Sequence, residues 1–501
     1  MHRFNFIDLH CHPNIKAYGQ SFKHNFEHSQ NPRDKHSIWY QDRPGLAEKI
    51  FEILFPTYTQ SDLSTVYHGG VDIIGLSLYS IERSFFTIKG SQGKLADLAL
   101  NIASGVGNER IDHVQEHNNY YEDVFREYRF VCAGEGKVVK LSGNALGSYK
   151  IIKSYGDIEW IENFNNAPEN QKQRHRKIGV VLDIEGAHIF NQSSDIKDAS
   201  KSPVERLREN ILHLKDIRPG SENKWQHRLS HITLMHHFKN DLGGHAQSLP
   251  GIVGNNLLNQ KPALGEDLSD LGKEAIKLLL SKENGYRIPI CVKHMSVAAR
   301  YSYYQILENE FKGEDIPIIV SHGAVNGKNN PREKKHTITE TEGCFRFNEE
   351  EPLWDINFYD EELLKIAGSK GIFGFQLDQR RLASQQELKQ RIGKHKNLQL
   401  GARHLWKNIQ HSAQVLDNAG LPAWNIQAIG SDFDGIINPL NGYRTAERLE
   451  MLETYLLKEA KDFLSGSNTI LKLPENKNID AELLVSKVLY QNALDFYRRT
   501  L

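Results

Sequence analysis

The chain has 501 residues, with 62 Lys and Arg against 63 Asp and Glu, so its formal net charge is −1. That balance leaves no whole-molecule field to draw in nucleic acid or an anionic membrane surface. The longest mostly apolar stretch, 71–81, falls far short of the roughly 18 residues a spanning helix needs.

Length alone suggests about three domains, but α/β barrels routinely run longer as one unit. In chain order, apolar runs rich in β-branched residues predict strands at 4–9, 71–79, 178–184, 229–235, 288–292, 316–320, 371–377 and 424–429. Several, such as I-G-V-V-L-D-I and I-P-I-I-V, show little alternation, as expected of parallel strands buried on both faces. Helical spacing of apolar residues appears between many of them. It covers 271–282 behind Ser269 and Asp270, either of which can cap it, then 361–367 behind Asp360, 405–416 and 446–460. The alternation predicts an α/β protein with a (β/α)8 TIM barrel; an open doubly wound sheet is the rival, because a strand count does not prove closure.

A barrel needs about 250 residues. The expectation is therefore a single barrel over 1–501 with long loop insertions near 84–176, 191–228, 324–355 and 436–479. The charge runs at 172–177, 332–335 and 349–351 read as solvated faces. Cys11, Cys132, Cys291 and Cys344 form no C-x-x-C pair and are too few for a disulfide scaffold. The N-terminus carries no apolar leader-like run, so with Met1 as the true start the expectation is a cytoplasmic protein with reduced thiols. Phosphate-binding G-x-x-x-x-G-K-[ST], dinucleotide G-x-G-x-x-G, hydrolase G-x-S-x-G and zincin H-E-x-x-H motifs are all absent from the sequence.

The informative pattern lies at the C-terminal ends of the predicted strands, the face where barrel active sites sit. The first ends in Asp8-Leu9-His10-Cys11-His12, the third in Glu185-Gly186-Ala187-His188, and the fourth in His236-His237. The fifth reaches Lys293-His294, the sixth Ser321-His322, and the eighth Ser431-Asp432-Phe433-Asp434-Gly435. Residues two apart on a strand point to the same side, so His10 and His12 can grip one ion while the pleat turns Cys11 away into packing. Imidazoles and carboxylates converging on a barrel mouth are the ligand set of zinc or a similar divalent metal. A carboxylate directly after V-V-L-D-I is costly to bury unless paired or metal-bound, which makes Glu185 a bridging candidate. Gly186 beside it permits a close approach. Asp432 and Asp434 can cap a loop, but Asp432, at the strand terminus, is the better placed for proton transfer.

These segments resemble the membrane (renal) dipeptidase family of zinc metallopeptidases in the amidohydrolase superfamily. The resemblance is carried by I-D-L-H-C-H-P, G-G-V-D-I-I-G-L-S-L-Y-S, V-L-D-I-E-G-A-H, I-T-L-M-H-H-F, L-G-K-E-A-I-K-L-L-L, V-K-H-M-S, I-I-V-S-H-G-A and A-I-G-S-D-F-D-G-I. It is carried too by Y-D-E-E-L-L-K-I-A-G-S-K-G-I-F-G-F and the closing V-L-Y-Q-N-A-L-D-F-Y; all run in family order from Ile7 to about Tyr497. The resemblance implies two divalent ions per chain, zinc by preference, with His10 and His12 on one, His294 and His322 on the other, and Glu185 and a hydroxide bridging them. It implies that His236 contacts substrate, polarising the scissile carbonyl or steadying the tetrahedral intermediate, that Asp432 is the acid/base carboxylate, and that the hydroxide attacks the amide bond of a small dipeptide-like molecule. Neither nucleic acid nor membrane is an expected partner; barrels of this family are often homodimers.

Two positions depart from the family pattern. His12 stands where an Asp is usual, which removes one negative charge from the site. Ile356 or its neighbours stand where an Arg clamps the substrate carboxylate, with Arg332, Arg346, Arg380 and Arg381 as alternative carriers. Three other readings stay open: a superfamily relative acting on a larger amide, an N-acyl amino acid or a lactone; a phosphoesterase barrel; and a non-catalytic metal-binding barrel.

Overall fold

A parallel strand sandwiched between other layers has no side to give to water, so its whole length must be apolar or functional. The computed structural model, which describes residues 5–43, 58–86, 105–117, 119–193, 196, 200–249, 258–331, 355–383, 394–465 and 470–501, meets that requirement. Strands β1 (Ile7–Cys11) and β2 (Ile73–Leu78) are buried from end to end. So are β6 (Ile232–Thr233), β7 (Ile290–Cys291), β8 (Ile319–Gly323), β9 (Ile372–Phe375) and β10 (Gln427–Ile429). The short β3 (Val139–Lys140) and β4 (Leu146–Ile151) precede the long β5 (His175–Glu185).

Closure decides between barrel and open sheet. β1 pairs with both β2 and β10, β2 pairs with β5, and β5 through β10 pair in succession, all parallel. The ring β1-β2-β5-β6-β7-β8-β9-β10 therefore closes on itself, and the fold is a (β/α)8 barrel. Each ring strand matches one expected apolar run. The exceptions lie at the ends: β1 runs three residues later than its apolar run begins and continues through His10 to Cys11, where pairing with Leu76 outweighs the polar side chain.

β3 and β4 were not expected. β4 lies parallel to the first half of β5, from Leu146↔His175 to Ile151↔Val180, and β3 folds back antiparallel to it. This pairing explains why β5 starts at His175, ahead of its apolar core: β4 gives the polar H-R-K residues backbone partners.

The helices follow the sequence signals closely. Asp270–Leu280 is capped by Ser269, whose hydroxyl accepts from Gly272 N at 3.0 Å, and it buries Ala275, Ile276, Leu279 and Leu280 on one stripe. Full burial of Ile276 or Leu279 contributes about 1.5–3 kcal/mol each. Asp360 opens the helix Asp360–Gly368 as its first residue and does not cap it; the Glu362 carboxylate accepts from Tyr359 N instead. Lys394–Asn418 runs longer than expected, whereas Glu450–Ser465 is shifted, starting four residues after the expected 446 and ending five after 460.

Helix Tyr120–Ala133, between β2 and β3, reaches the barrel mouth through Glu127, which accepts from Asn14 Nδ2 and from Tyr79 N, each at 2.7 Å. Burial, then the Asp123 charge, pushes Glu127 up to about 8. Below it, Arg110 forks onto Asp123 at 2.5 and 2.6 Å. Among the described residues no helix is long and apolar enough to cross a membrane. Arg332, Arg346 and Cys344 lie outside the described residues; Cys11, Cys132 and Cys291 are free thiols.

Candidate metal centre

The first two histidines are brought together by the way β1 leaves the barrel. His10 is the fourth residue of β1 and His12 lies just beyond it, where its N–H donates to Phe433 O at 2.9 Å. Asp432 N in turn donates to His10 O at 2.9 Å, so the ends of β1 and β10 are stitched together. Asp8 strengthens the stitch by accepting from Ser431 N at 2.8 Å and from Ser431 Oγ at 2.5 Å. The His10 and His12 rings sit edge to face, 5.0 Å between centroids. Cys11, between them, is buried in packing, and burial pushes its thiol well up.

Glu185, the last residue of β5, stands at the centre. Its Oε2 lies 3.1 Å from His12 Nε2 and 3.3 Å from His236 Nε2. Its Oε1 lies 3.2 Å from His294 Nε2, 3.5 Å from His322 Nε2 and 3.6 Å from His10 Nε2. Two sets of ligand atoms, His10-His12-Glu185 and Glu185-His294-His322, each lie within 4.8 Å and share this carboxylate. A third set of the same span, His10-His322-Asp432, brings in the carboxylate at the end of β10.

Both ring nitrogens of His10 and His12, Glu185 Oε1, His294 Nδ1 and His322 Nε2 are buried without a hydrogen-bond partner. A buried polar atom left unpaired costs free energy, and four of these, the Nε2 atoms of His10, His12 and His322 with Glu185 Oε1, converge at the Glu185 carboxylate and call for a common occupant. Neutral imidazoles with one carboxylate are the donor set of zinc and its neighbours, so these residues fit a divalent cation. The electrostatics agree. Burial drives His294 down to about 3, and burial with the His10 charge drives His322 well down, so both keep free lone pairs. Burial raises Glu185, but the His236 and His10 charges outweigh it and hold the carboxyl well below its usual range.

Backbone strain contributes to the aim. His294 and Asp432 occupy the left-handed region at φ 66° and 60°, where a non-glycine residue persists only if its surroundings insist on it. Gly186, at φ 99°, has a narrower reason than ligand access: a Cβ there would meet the His188 ring at 2.5 Å and His236 Cβ at 3.3 Å. His188 itself turns away and bonds Ser80 O through Nε2 at 2.7 Å. Asp434 is a loop clamp, holding Lys16 Nζ at 2.8 Å and the backbone N–H groups of Gln60 and Ser61 at 2.9 and 2.8 Å.

Asp432 is tethered by Oδ2, which accepts from Gln376 Nε2 at 2.6 Å, while Oδ1 lies 3.7 Å from His12 Nε2. Burial, then the Glu185 charge, raises it to about 7. His236 makes its other contact through Nδ1, 2.8 Å from Glu82 Oε2. Burial lowers His236, but the Glu185 and Glu82 charges outweigh it and lift the imidazolium to about 10.

Two carboxylates here, Glu82 and Asp183, were not singled out from the sequence. Glu82 also accepts from Tyr79 OH at 2.5 Å and from the N–H groups of His237 and Phe238 at 3.2 Å each. Asp183 lies 3.4 Å from His10 Nδ1 and 3.8 Å from His231 Nε2. Asp183 had a signal: two residues before Glu185, it faces the same side of β5. Glu82 had only its place shortly after a strand end. His237, next to His236, packs 5.1 Å from the His294 ring and bonds Ser248 Oγ through Nδ1 at 2.5 Å. Two buried cations complete the wall. Lys293 Nζ donates to Gln376 Oε1 at 3.4 Å, and Arg381 Nη2 donates to Ser248 O at 2.5 Å. Ile356, which stands where the resemblance places an arginine clamp, is a buried apolar residue.

No protein-family model and no curated protein matches the chain. Several solved structures are similar to it at low identity. A metallo-peptidase from Rhodobacter sphaeroides, solved with a phosphinate mimic of the dipeptide L-Ala-D-Ala, superposes with a TM-score of 0.50 at 12% identity, covering 100% of both chains. A probable dipeptidase from Pseudomonas aeruginosa gives 0.43 at 13% identity over 88% of this chain and 89% of its own. A dipeptidase described as a metallo peptidase gives 0.46 at 12% identity over the same shares, 88% and 89%. At such identities the first likeness establishes a common fold.

Proposed function

We propose that the chain is a metal-dependent hydrolase of dipeptidase type, cleaving the amide bond of a small dipeptide-like substrate at a centre of two divalent ions. The observation that carries this reading is the single carboxylate of Glu185, with His12 on one oxygen and His294 and His322 on the other, amid ring nitrogens that lack hydrogen-bond partners. His10 and His12 would hold one ion, His294 and His322 the other, and Glu185 would bridge. Such ions, zinc first among them, supply a water acidified near neutrality and a Lewis acid for the carbonyl oxygen.

The chain's own residues then divide the remaining work. Asp432, with Oδ2 fixed by Gln376 and Oδ1 turned toward His12, is raised to about 7. A carboxylate so placed takes a proton from the attacking water and returns it to the leaving amine. His236, held by Glu82 on Nδ1, presents Nε2 to the centre where negative charge develops on the carbonyl oxygen. Asp183 beside His10 and Glu82 beside His236 orient the rings, as outer carboxylates do around metal-bound histidines. The fold shared with the Rhodobacter sphaeroides metallo-peptidase is consistent with this chemistry.

The test is metal content by elemental mass spectrometry after zinc refilling, together with a panel of dipeptides. Close to two ions per chain and hydrolysis of free dipeptides are expected. One ion or none means that the charge lost at His12 is decisive, and the two-ion mechanism is withdrawn. Two ions with turnover only of N-acyl amino acids, lactones or aryl phosphates moves the chain to another substrate class.

A further inference from the structure

Beneath the centre, deeper in the barrel interior, lies a carboxylate whose charge the steps above leave unused. Asp183 is two residues before Glu185 on β5 and faces the same side of the strand. It is fully buried, and both of its oxygens lack a hydrogen-bond partner. Among the described residues its ion-pair partners are two histidines and no lysine or arginine: Oδ1 lies 3.4 Å from His10 Nδ1 and 3.8 Å from His231 Nε2. His231 is held in turn through Nδ1, 2.9 Å from Ser230 Oγ. Ser77, level with Asp183 where β2 pairs with β5, adds a buried hydroxyl that also lacks a partner.

Charge counting gives this carboxylate a purpose. The ligand set proposed above has four imidazoles, which are neutral when they hold a cation, and Glu185 as its one carboxylate. Two dications in so buried a pocket face little negative charge. His10 is the link, because its Nε2 faces Glu185 Oε1 at 3.6 Å while its Nδ1 faces Asp183. A ring that gives Nε2 to an ion keeps its proton on Nδ1, and a carboxylate at that proton makes the opposite nitrogen a stronger donor. The burial of Asp183 without a lysine or arginine then has a reason, since the ions above it bring the positive charge. The second pair of histidines has no such backing. His294 Nδ1 is buried without a partner, and His322 Nδ1 meets only the Ser321 hydroxyl at 3.0 Å.

We propose that Asp183 supplies, through His10, the second negative charge that holds the pair of ions, and so sets the affinity of the His10–His12 position in particular. The assignment rests on the two-ion reading given above.

The test is zinc competition against a chromophoric chelator, using the metal-free full chain, its Asp183→Asn variant and the double variant Asp183→Asn with His12→Asp. Asparagine keeps the size of the side chain and an oxygen that can accept from His10, so the change is one of charge. Wild type should take up two ions. In Asp183→Asn one of the two should bind roughly tenfold to a hundredfold more weakly, with the other little changed. The double variant returns a carboxylate directly to the weakened ion and should recover most of the loss. Nitrogen-labelled, zinc-loaded wild type gives a second readout that needs no variant to fold. There the His10 Nδ1 proton should resonate well downfield of the His12 Nδ1 proton, whose nitrogen has no carboxylate beside it. Unchanged affinity for both ions in Asp183→Asn, a loss that His12→Asp leaves in place, or a His10 proton no further downfield than that of His12 overturns the assignment with the two-ion reading intact. Uptake of fewer than two ions by wild type sinks that reading, and the assignment with it.

Discussion

Glu82→Gln is the sharpest single test of how His236 is held. Glu82 Oε2 lies 2.8 Å from His236 Nδ1, and both side chains are buried. A hydrogen bond to a charged partner contributes about 1.5–3 kcal/mol. At about 1.36 kcal/mol per pKa unit, losing that charge lowers His236 by roughly one to two units from its value of about 10. The sign follows from linkage. A histidine raised in the folded state stabilises it fully below its ordinary value of 6.5, and the benefit is lost as pH rises through about 10. Glu82, held down to about 2 by His236 against the cost of burial, contributes above its ordinary 4.5 and loses that contribution as pH falls toward 2. Both contributions are therefore present at neutral pH, and the variant should be less stable there. The assay is nitrogen NMR of labelled histidine in the metal-free protein, where His236 should titrate measurably earlier in the variant. In the zinc-loaded enzyme the same loss predicts kcat/KM lower by roughly tenfold to a hundredfold. Identical titration of His236 in the two proteins would refute the argument.

Asp432→Asn should cut turnover by about 10²–10⁴ with metal content unchanged; if a metal ion leaves instead, Asp432 is a ligand, as its grouping with His10 and His322 allows. Stripping the protein with a chelator should lower its melting temperature by several degrees, with recovery on adding zinc, because an ion that binds the folded state at a thousandfold over its Kd stabilises it by about 4 kcal/mol. An unchanged melt would mean that the histidine cluster holds no metal. Asp123→Asn leaves Arg110 buried and unpaired and should cost about 3–5 kcal/mol in urea unfolding near neutrality. Burial raises Asp123, but Arg110 outweighs it and holds the carboxyl below its ordinary 3.8. Its stabilisation is thus present above that value and lost as pH falls below it, so the gap to wild type should close in acid; a gap independent of pH would contradict the pairing.

The sequence by itself determined the strand runs, the helix expected over 271–282 with a cap at Ser269 or Asp270, and the polar residues that end each strand. These are local properties: an uninterrupted apolar run, a 3.6-residue spacing or an H-x-H pair can be read within a few residues. It could not show closure, since the pairing of Asp8 with Ile429 joins residues 421 apart. Nor could it reveal β4, whose L-G-S-Y-K-I has mixed polarity and becomes a strand because β5 lies beside it. At the centre, the residue types and their strand ends were legible, whereas their aim was not. His294 and Asp432 point inward through left-handed backbone that their side chains do not announce. Glu82 meets His236 across 154 positions, and Arg381 reaches Ser248 across 133. Chemistry of that kind depends on which charges find partners after the chain has closed, and partners so far apart in sequence are a property of the tertiary structure alone.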